Sequence, residues 1–210
     1  MKKLLLLSLT ILSFFIGDGL TYPNKSEDMS FNDADITIKA LSQKGFILSE
    51  EFIKADDETM LSLLSEAQGL LNLSAKEKSD YLIQYKKTTE VYIKENTPID
   101  DSVIINKDPI THSYITKHGL PNFLDIITQL VESQVADQIL AEGMELKLLR
   151  SGLGKYRDRF EYVYINTKFN FKGFETFGSD YYISVNNQIY HIKINSFEGL
   201  GIYDVFTEIN

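Results

Sequence analysis

The chain has 210 residues, 43% of them hydrophobic and 24% charged, with a formal net charge of −9. That composition supports a packed core and excludes collagen, low-complexity linkers and mostly disordered chains. Cysteine and tryptophan are absent, which excludes disulfides, thiolate metal sites, a cysteine nucleophile and cysteine-linked lipid anchors.

The first signal is at the start. Met1-Lys2-Lys3 is basic, residues 4–16 are uncharged and mostly apolar, and Gly17 and Gly19 follow with the small-x-small spacing of a signal-peptidase site. This order predicts a secretory signal cut after Gly19. The run is shorter than the roughly 20 residues that a membrane span needs, and an uncleaved anchor is the alternative. Loss of Lys2, Lys3 and Asp18 makes the remaining chain one unit more negative. Such an acidic protein is repelled by nucleic acid and by anionic lipid surfaces. Export without cysteine implies a core that needs no disulfides and fits a bacterial periplasmic or extracellular protein. Asn24-Lys25-Ser26 and Asn72-Leu73-Ser74 are glycosylation acceptors only where the host glycosylates.

Residues 20–30 are polar and read as a flexible start, and residues 31–210 as one domain. The spacing of Ile36, Ala40 and Leu41 predicts a helix over 31–44, stopped at Gly45. Phe46-Ile47-Leu48 reads as a short strand or a packed turn. Ser49 is placed to cap a following helix, with Glu50 and Glu51 in its first turn. From Asp57, the residues Met60, Leu61, Leu64, Ala67, Leu70 and Leu71 recur at helical steps. Ser74 and Glu77 form a capping box for another helix, with Tyr81, Leu82 and Tyr85 turned inward. Thr88 to Ile93 is β-branched and aromatic and predicts a strand. Residues 94–121 hold Pro98, Pro109, Gly119 and Pro121 and read as a long connection, with a short strand at Val103-Ile104-Ile105. Asn122 then caps a long helix over 122–151. Its stripe is Phe123, Ile126, Ile127, Leu130, Val131, Val135, Ile139 and Leu140, extended through Met144 and Leu148, with a kink at Gly143 and a stop at Gly152 and Gly154.

The last 55 residues hold 14 of the 25 Phe and Tyr residues. Phe160, Tyr162 and Tyr164 alternate with Glu161, Val163 and Ile165, as in a strand. Asn186-Asn187 suits a two-residue hairpin turn, since asparagine tolerates positive φ. That turn pairs Val185 with Gln188, Ile183 with Tyr190 and Tyr181 with Ile192 on one face, and Tyr182 with His191 on the other. Residues 202–209 read as a final strand. No repeat of 20 to 50 residues is visible.

The fold class is therefore α+β, with N-terminal helices and then a long helix packed on a C-terminal antiparallel meander. The division is a mostly helical half with a long loop over 31–121 and a helix plus sheet over 122–210. The element order resembles that of cystatin-like and nuclear-transport-factor-like folds, by analogy of order alone. Those folds host enzymes, carriers and inhibitors alike.

Catalytic signals are weak. There is no G-x-S-x-G elbow and no S-x-x-K pairing. Gly152-Leu153-Gly154-Lys155 lacks the first glycine and the closing Ser or Thr of a phosphate loop, and reads as a helix stop. The histidines His112, His118 and His191 do not have metal-ligand spacing, even with Asp108 near the first two. A calcium loop begun by Asp33 and Asp35 fails at Ile38 and Lys44. Asp56, Asp57, Glu58, Asp100, Asp101, Glu161 and Glu175 are available to a carboxylate hydrolase, but caps and solvated faces explain them. Arg157-Asp158-Arg159 reads as a lock on a sheet edge or an anion holder.

No cofactor and no metal is implied. Phe169, Phe171, Phe174, Phe177, Tyr181 and Tyr182 do not fit one clean strand face. They are the candidate surface for a small apolar ligand or a protein partner. The expected role is an exported, non-catalytic binding protein. The alternatives are an exported hydrolase using Asp and Glu, and a membrane-anchored structural component of the cell envelope.

Overall fold

The computed structural model describes residues 38–61, 74–95, 101–107, 109–137, 144–171 and 173–207. The expected signal with Gly17 and Gly19, the flexible start, Asp33, Asp35, Asp100 and Asp108 lie outside them. The helices are α1 (Ile38–Ser42), α2 (Ala75–Tyr85), α3 (Pro109–Asp137) and α4 (Ile202–Val205). The strands are β1 (Ile47–Leu48), β2 (Ile53–Lys54), β3 (Thr89–Lys94), β4 (Asp101–Lys107), β5 (Met144–Tyr156), β6 (Phe160–Phe171), β7 (Phe174–Val185), β8 (Gln188–Ser196) and β9 (Phe206–Thr207). Seven of them form one antiparallel sheet in the order β2-β3-β4-β8-β7-β6-β5, and β1 pairs with β9 beside it. The protein is thus α+β, with the long helix on a C-terminal meander.

Tight turns build the meander. Asn186 and Asn187 both have positive φ, 52° and 59°, as a primed hairpin turn requires. Val185 faces Gln188, Ile183 faces Tyr190, Tyr181 faces Ile192 and Tyr182 faces His191, as the sequence register demands. Gly173 turns β6 into β7 at φ 88°. Arg157, at φ 51°, and Asp158, at φ 53°, turn β5 into β6.

Both faces of the sheet are covered. On one face Phe46, Val103, Ile105, Ile183, Ile192 and Val205 gather under α1, α4 and the β1–β9 pair. Phe46 is fully buried and stacks on Tyr156 with ring centroids 4.4 Å apart. Burial of a side chain of this size stabilises by about 1.5–3 kcal/mol. On the other face Phe123, Ile127 and Val131, each four residues from the next, lay α3 on Val163, Ile165 and Tyr182. A smaller cluster joins Met60 and Leu82 to Val91 and Ile104. Ser74 and Glu77 do form the capping box that starts α2.

Several expectations are corrected. Residues 144–156 are strand β5, so the long helix does not reach 151 and Gly152 and Gly154 do not stop it. The segment Met144-Glu145-Leu146-Lys147-Leu148 alternates with period two, while Met144 and Leu148, four apart, also fit a helical stripe. The two glycines sit opposite Tyr164 and Tyr162. An added Cβ would come within 2.9 Å of the Tyr164 hydroxyl and 2.6 Å of the Tyr162 ring. The supposed connection over 94–121 holds the seven-residue strand β4 and the first thirteen residues of α3. Strand β4 is buried on both faces, so it does not alternate. Pro109 opens α3, where a missing N–H costs nothing. Gly119, at φ 83° and ψ 161°, bends it, and Pro121 re-enters helix just beyond. His112 and His118 are therefore helical. Asn122 donates from Nδ2 to the His118 carbonyl at 2.7 Å and does not cap a new helix from its own start. Ser49 leads into a turn and β2, so Glu50 and Glu51 occupy no helix. Residues 202–205 form the helical turn α4 before the short β9, and 208–209 of the expected strand lie outside the described residues.

Candidate functional site

The hairpin β7–β8 carries a buried charged cluster. Extended by the same register, the pairing sets Asp180 opposite Lys193 and Tyr182 opposite His191. Asp180 is fully buried and Lys193 nearly so. The His191 ring, through Nε2, lies 2.7 Å from Asp180 Oδ1. His191 also stacks almost flat on Tyr182, 4.4 Å between centroids and 4° between planes. Burial pushes the Asp180 carboxyl up, but Lys193 and the His191 hydrogen bond outweigh it and hold the group below its ordinary value. Burial pulls the Lys193 ammonium down, and Asp180 only partly opposes this. Asp180 Oδ2, Asn106 Oδ1 and Asn195 Oδ1 have no hydrogen-bond partner. Asn195 does donate from Nδ2 to Ser102 Oγ at 3.2 Å. These groups form a polar band between the α3-covered cluster and the α2-covered one, on the same face of the sheet. The band was missed in the sequence, although the Asn186-Asn187 register already placed an acid across from a base.

The six aromatic candidates do not share a surface. Tyr182 is buried under α3, Phe169 is buried on the side of β6 that also carries Val163 and Ile165, and Tyr181 is buried on the opposite face with its hydroxyl accepting from the Ile202 amide at 3.2 Å. Phe171 pairs with Phe174 next to the β6–β7 turn, and Phe174 is 37% exposed. Phe177 is half-buried, with the Lys168 ammonium 5.7 Å from its ring centroid. Among the five whose side chains the structure describes, Phe174 and Phe177 are the two that reach solvent. A strand buried on both faces reads as a continuous apolar run, which is why no clean face was visible.

The carboxylates named for hydrolysis are mostly engaged. Asp56 Oδ1 accepts from the Thr59 amide at 2.8 Å, and Asp57 pairs with Lys86 at 2.6 Å. Glu161 meets Lys155 at 3.5 Å and Glu175 meets Lys168 at 2.7 Å. Asp101 is buried and accepts from the Phe197 amide at 3.1 Å, while Glu58 is simply exposed. His118 stacks on Tyr114 and His112 Nδ1 is buried without a hydrogen bond. Among the described residues no group of three His, Asp or Glu could hold a metal ion, and no helix is long and apolar enough to cross a membrane.

The remaining feature is an open edge. Strand β5 ends the seven-stranded sheet, and among the described residues no strand pairs with its outer side. Its ladder with β6 breaks register between Leu148 and Arg150. Leu149 and Leu153 are each 50% exposed. Beside Leu153 lies a cleft of about 410 Å³, lined by Leu120, Pro121, Gly154, Lys155, Glu161 and Tyr162. A second cleft of the same volume lies on α2 around Tyr81 and Ile83. Neither is lined by any member of the Asp180 cluster. All three arginines of the chain, Arg150, Arg157 and Arg159, lie on β5 or its turn. Arg157 is committed to the fold, since Nη2 donates to the Thr207 carbonyl at 2.7 Å. This supports the sheet-lock reading of Arg157-Asp158-Arg159.

No protein-family model and no curated protein matches the chain. Among solved structures it is similar to a Pseudomonas aeruginosa protein of unknown function, at 12% identity and a TM-score of 0.35, over 52% of this chain and 68% of that one. A likeness at that level carries no argument about what either protein does.

Proposed function

We propose that this protein is a non-catalytic binding protein that acts after export and engages a protein partner. The observation that carries the reading is the open edge of β5, a 13-residue strand with two half-exposed leucines beside a cleft. Long edges of this kind template pairing with another chain. Export rests on the basic start, the apolar run over 4–16 and the Gly17-x-Gly19 exit. The hydrolase alternative is not favoured, because Asp56, Asp57, Asp101, Glu161 and Glu175 serve as a cap, surface ion pairs or a buried structural acceptor.

Mass spectrometry of the protein purified from its own host tests this. A denatured mass lacking residues 1–19, with a native mass raised by a second polypeptide, is the expected result. A full-length chain in membranes overturns export. A processed chain carrying nothing, or only a few hundred daltons of small molecule, overturns the protein-partner reading.

A further inference from the structure

We infer that the stretch Arg150–Tyr156 of β5 receives an acidic, extended segment of the partner, which adds to the sheet as an eighth strand. The inference rests on the binding reading above and names the chemistry of what binds. The regular part of the edge begins after the register break at Leu148/Arg150 and runs to Tyr156, about 20 Å of strand, with the Lys155 carbonyl near its end already accepting from the Tyr203 hydroxyl at 3.1 Å. Main-chain hydrogen bonds along such an edge supply affinity, and pockets for alternate side chains supply specificity.

Three features of this stretch fit that mode. Gly152 and Gly154 carry no side chain beside the exposed backbone, and Tyr164 and Tyr162 already occupy the space where a Cβ would stand. A glycine inside a strand is where another backbone can approach closely. The cleft that Leu120, Pro121 and Leu153 line with Lys155, Glu161 and Tyr162 lies beside this strand and can take one apolar side chain.

The third feature is charge. The chain carries 30 acidic and 21 basic residues. Yet exposed Arg150, Lys155 and Arg159 flank this edge. Arg150 lies on the face of Tyr164, its guanidinium carbon 5.9 Å from that ring centroid. Lys155 lies on the α3 face opposite Glu161, which at 3.5 Å in open solvent neutralises it only weakly. A second copy pairing antiparallel through its own Arg150–Tyr156 would bring no acidic side chain to the seam, and so would leave Arg150 and Lys155 uncompensated. An acidic strand from another protein meets opposite charge on both faces.

The test uses the full chain and two capped nine-residue peptides of alternating sequence, one of Val, Thr and Glu, the other with Lys in place of each Glu. Fluorescence anisotropy at low salt should show the acidic peptide binding at least tenfold more tightly than the basic one. The gap should narrow at high salt, where surface charges are screened. Hydrogen exchange should show new protection over residues 150–156. The double variant R150E/K155E, altered only at exposed positions, should reverse the preference while keeping its melting temperature. Equal binding of both peptides, protection elsewhere, or a variant with unchanged preference overturns the inference. A concentration-dependent dimer in sedimentation, with protection of β5, also overturns it in favour of a second copy. A host partner whose footprint lies off β5 removes this inference and leaves the binding reading standing.

Discussion

Replacing Asp180 by Asn keeps the shape of the side chain and removes its charge. In the native sheet that charge sits fully buried, 2.7 Å from His191 Nε2 and opposite the nearly buried Lys193. The variant leaves the Lys193 ammonium in the same low-dielectric band without its carboxylate. Breaking a buried pair by removal of one partner costs about 3–5 kcal/mol. For a protein of this size each kcal/mol lowers the melting temperature by about 2–4 °C, so the expected drop is roughly 6–20 °C. Urea unfolding followed by circular dichroism measures the free-energy loss, and a thermal melt measures the drop. Adding Lys193→Met removes the stranded charge, so the double variant should recover at least about 1 kcal/mol relative to the sum of the single changes. The pH dependence has a definite sign. Asp180 titrates below its ordinary 3.8 in the folded state. Its contribution is therefore present above that value and lost as pH falls through the folded pKa, a loss that D180N should lack. An unchanged urea midpoint in D180N, or strict additivity with K193M, would refute the view that this pair is energetically coupled.

Glu90 is buried and accepts from the Ile38 amide at 2.8 Å, Lys54 Nζ at 2.6 Å and the Tyr92 hydroxyl at 3.2 Å. Glu90→Ala should cost about 1–3 kcal/mol and speed hydrogen exchange in α1 far more than in β7. Equal effects in both would show that Glu90 does not anchor α1. Gly154→Val drives a side chain into the Tyr162 ring, 2.6 Å from the position of its Cβ. A loss of about 1–3 kcal/mol is expected, relieved by Tyr162→Ala in the same chain, and no relief would place the strain elsewhere. Burial raises the pKa of Tyr85, Tyr92 and Tyr181 above the ordinary 10. The unfolded chain then ionises first, so stability should fall as pH rises above 10. Burial also lowers Lys193 from 10.5, which acts in the opposite direction up to that pH. Urea midpoints at pH 9, 10 and 11 check the balance, and Tyr92→Phe should flatten the decline.

Features set by neighbouring residues were readable from the sequence. The Ser74–Glu77 box and the Asn186-Asn187 hairpin with its register depend on contacts within a few residues or across one tight turn, and the strand expected over 88–93 shows in its β-branched and aromatic composition. Strands hidden on both faces were harder. Ser102 to Ile105 are all buried, so β4 shows no alternation, and a stretch with several prolines nearby looked like a loop. The same cause scattered the aromatic candidates, since Tyr181 and Tyr182 face opposite cores. The charged cluster stood one step from discovery, because the hairpin register already fixed Asp180 against Lys193.

By itself the sequence determined the α+β class, the antiparallel meander and its hairpin register, because turn chemistry and capping act over short distances. Only the tertiary structure decided that residues 144–156 are a strand. The segment Met144-Glu145-Leu146-Lys147-Leu148 fits both periods, and the choice is made by pairing with β6, where Tyr162 and Tyr164 need glycines opposite them. That choice also created the open edge with its arginines. Whether a polar residue is sealed in the sheet or left at its rim depends on strands far apart in the chain, which no local pattern records.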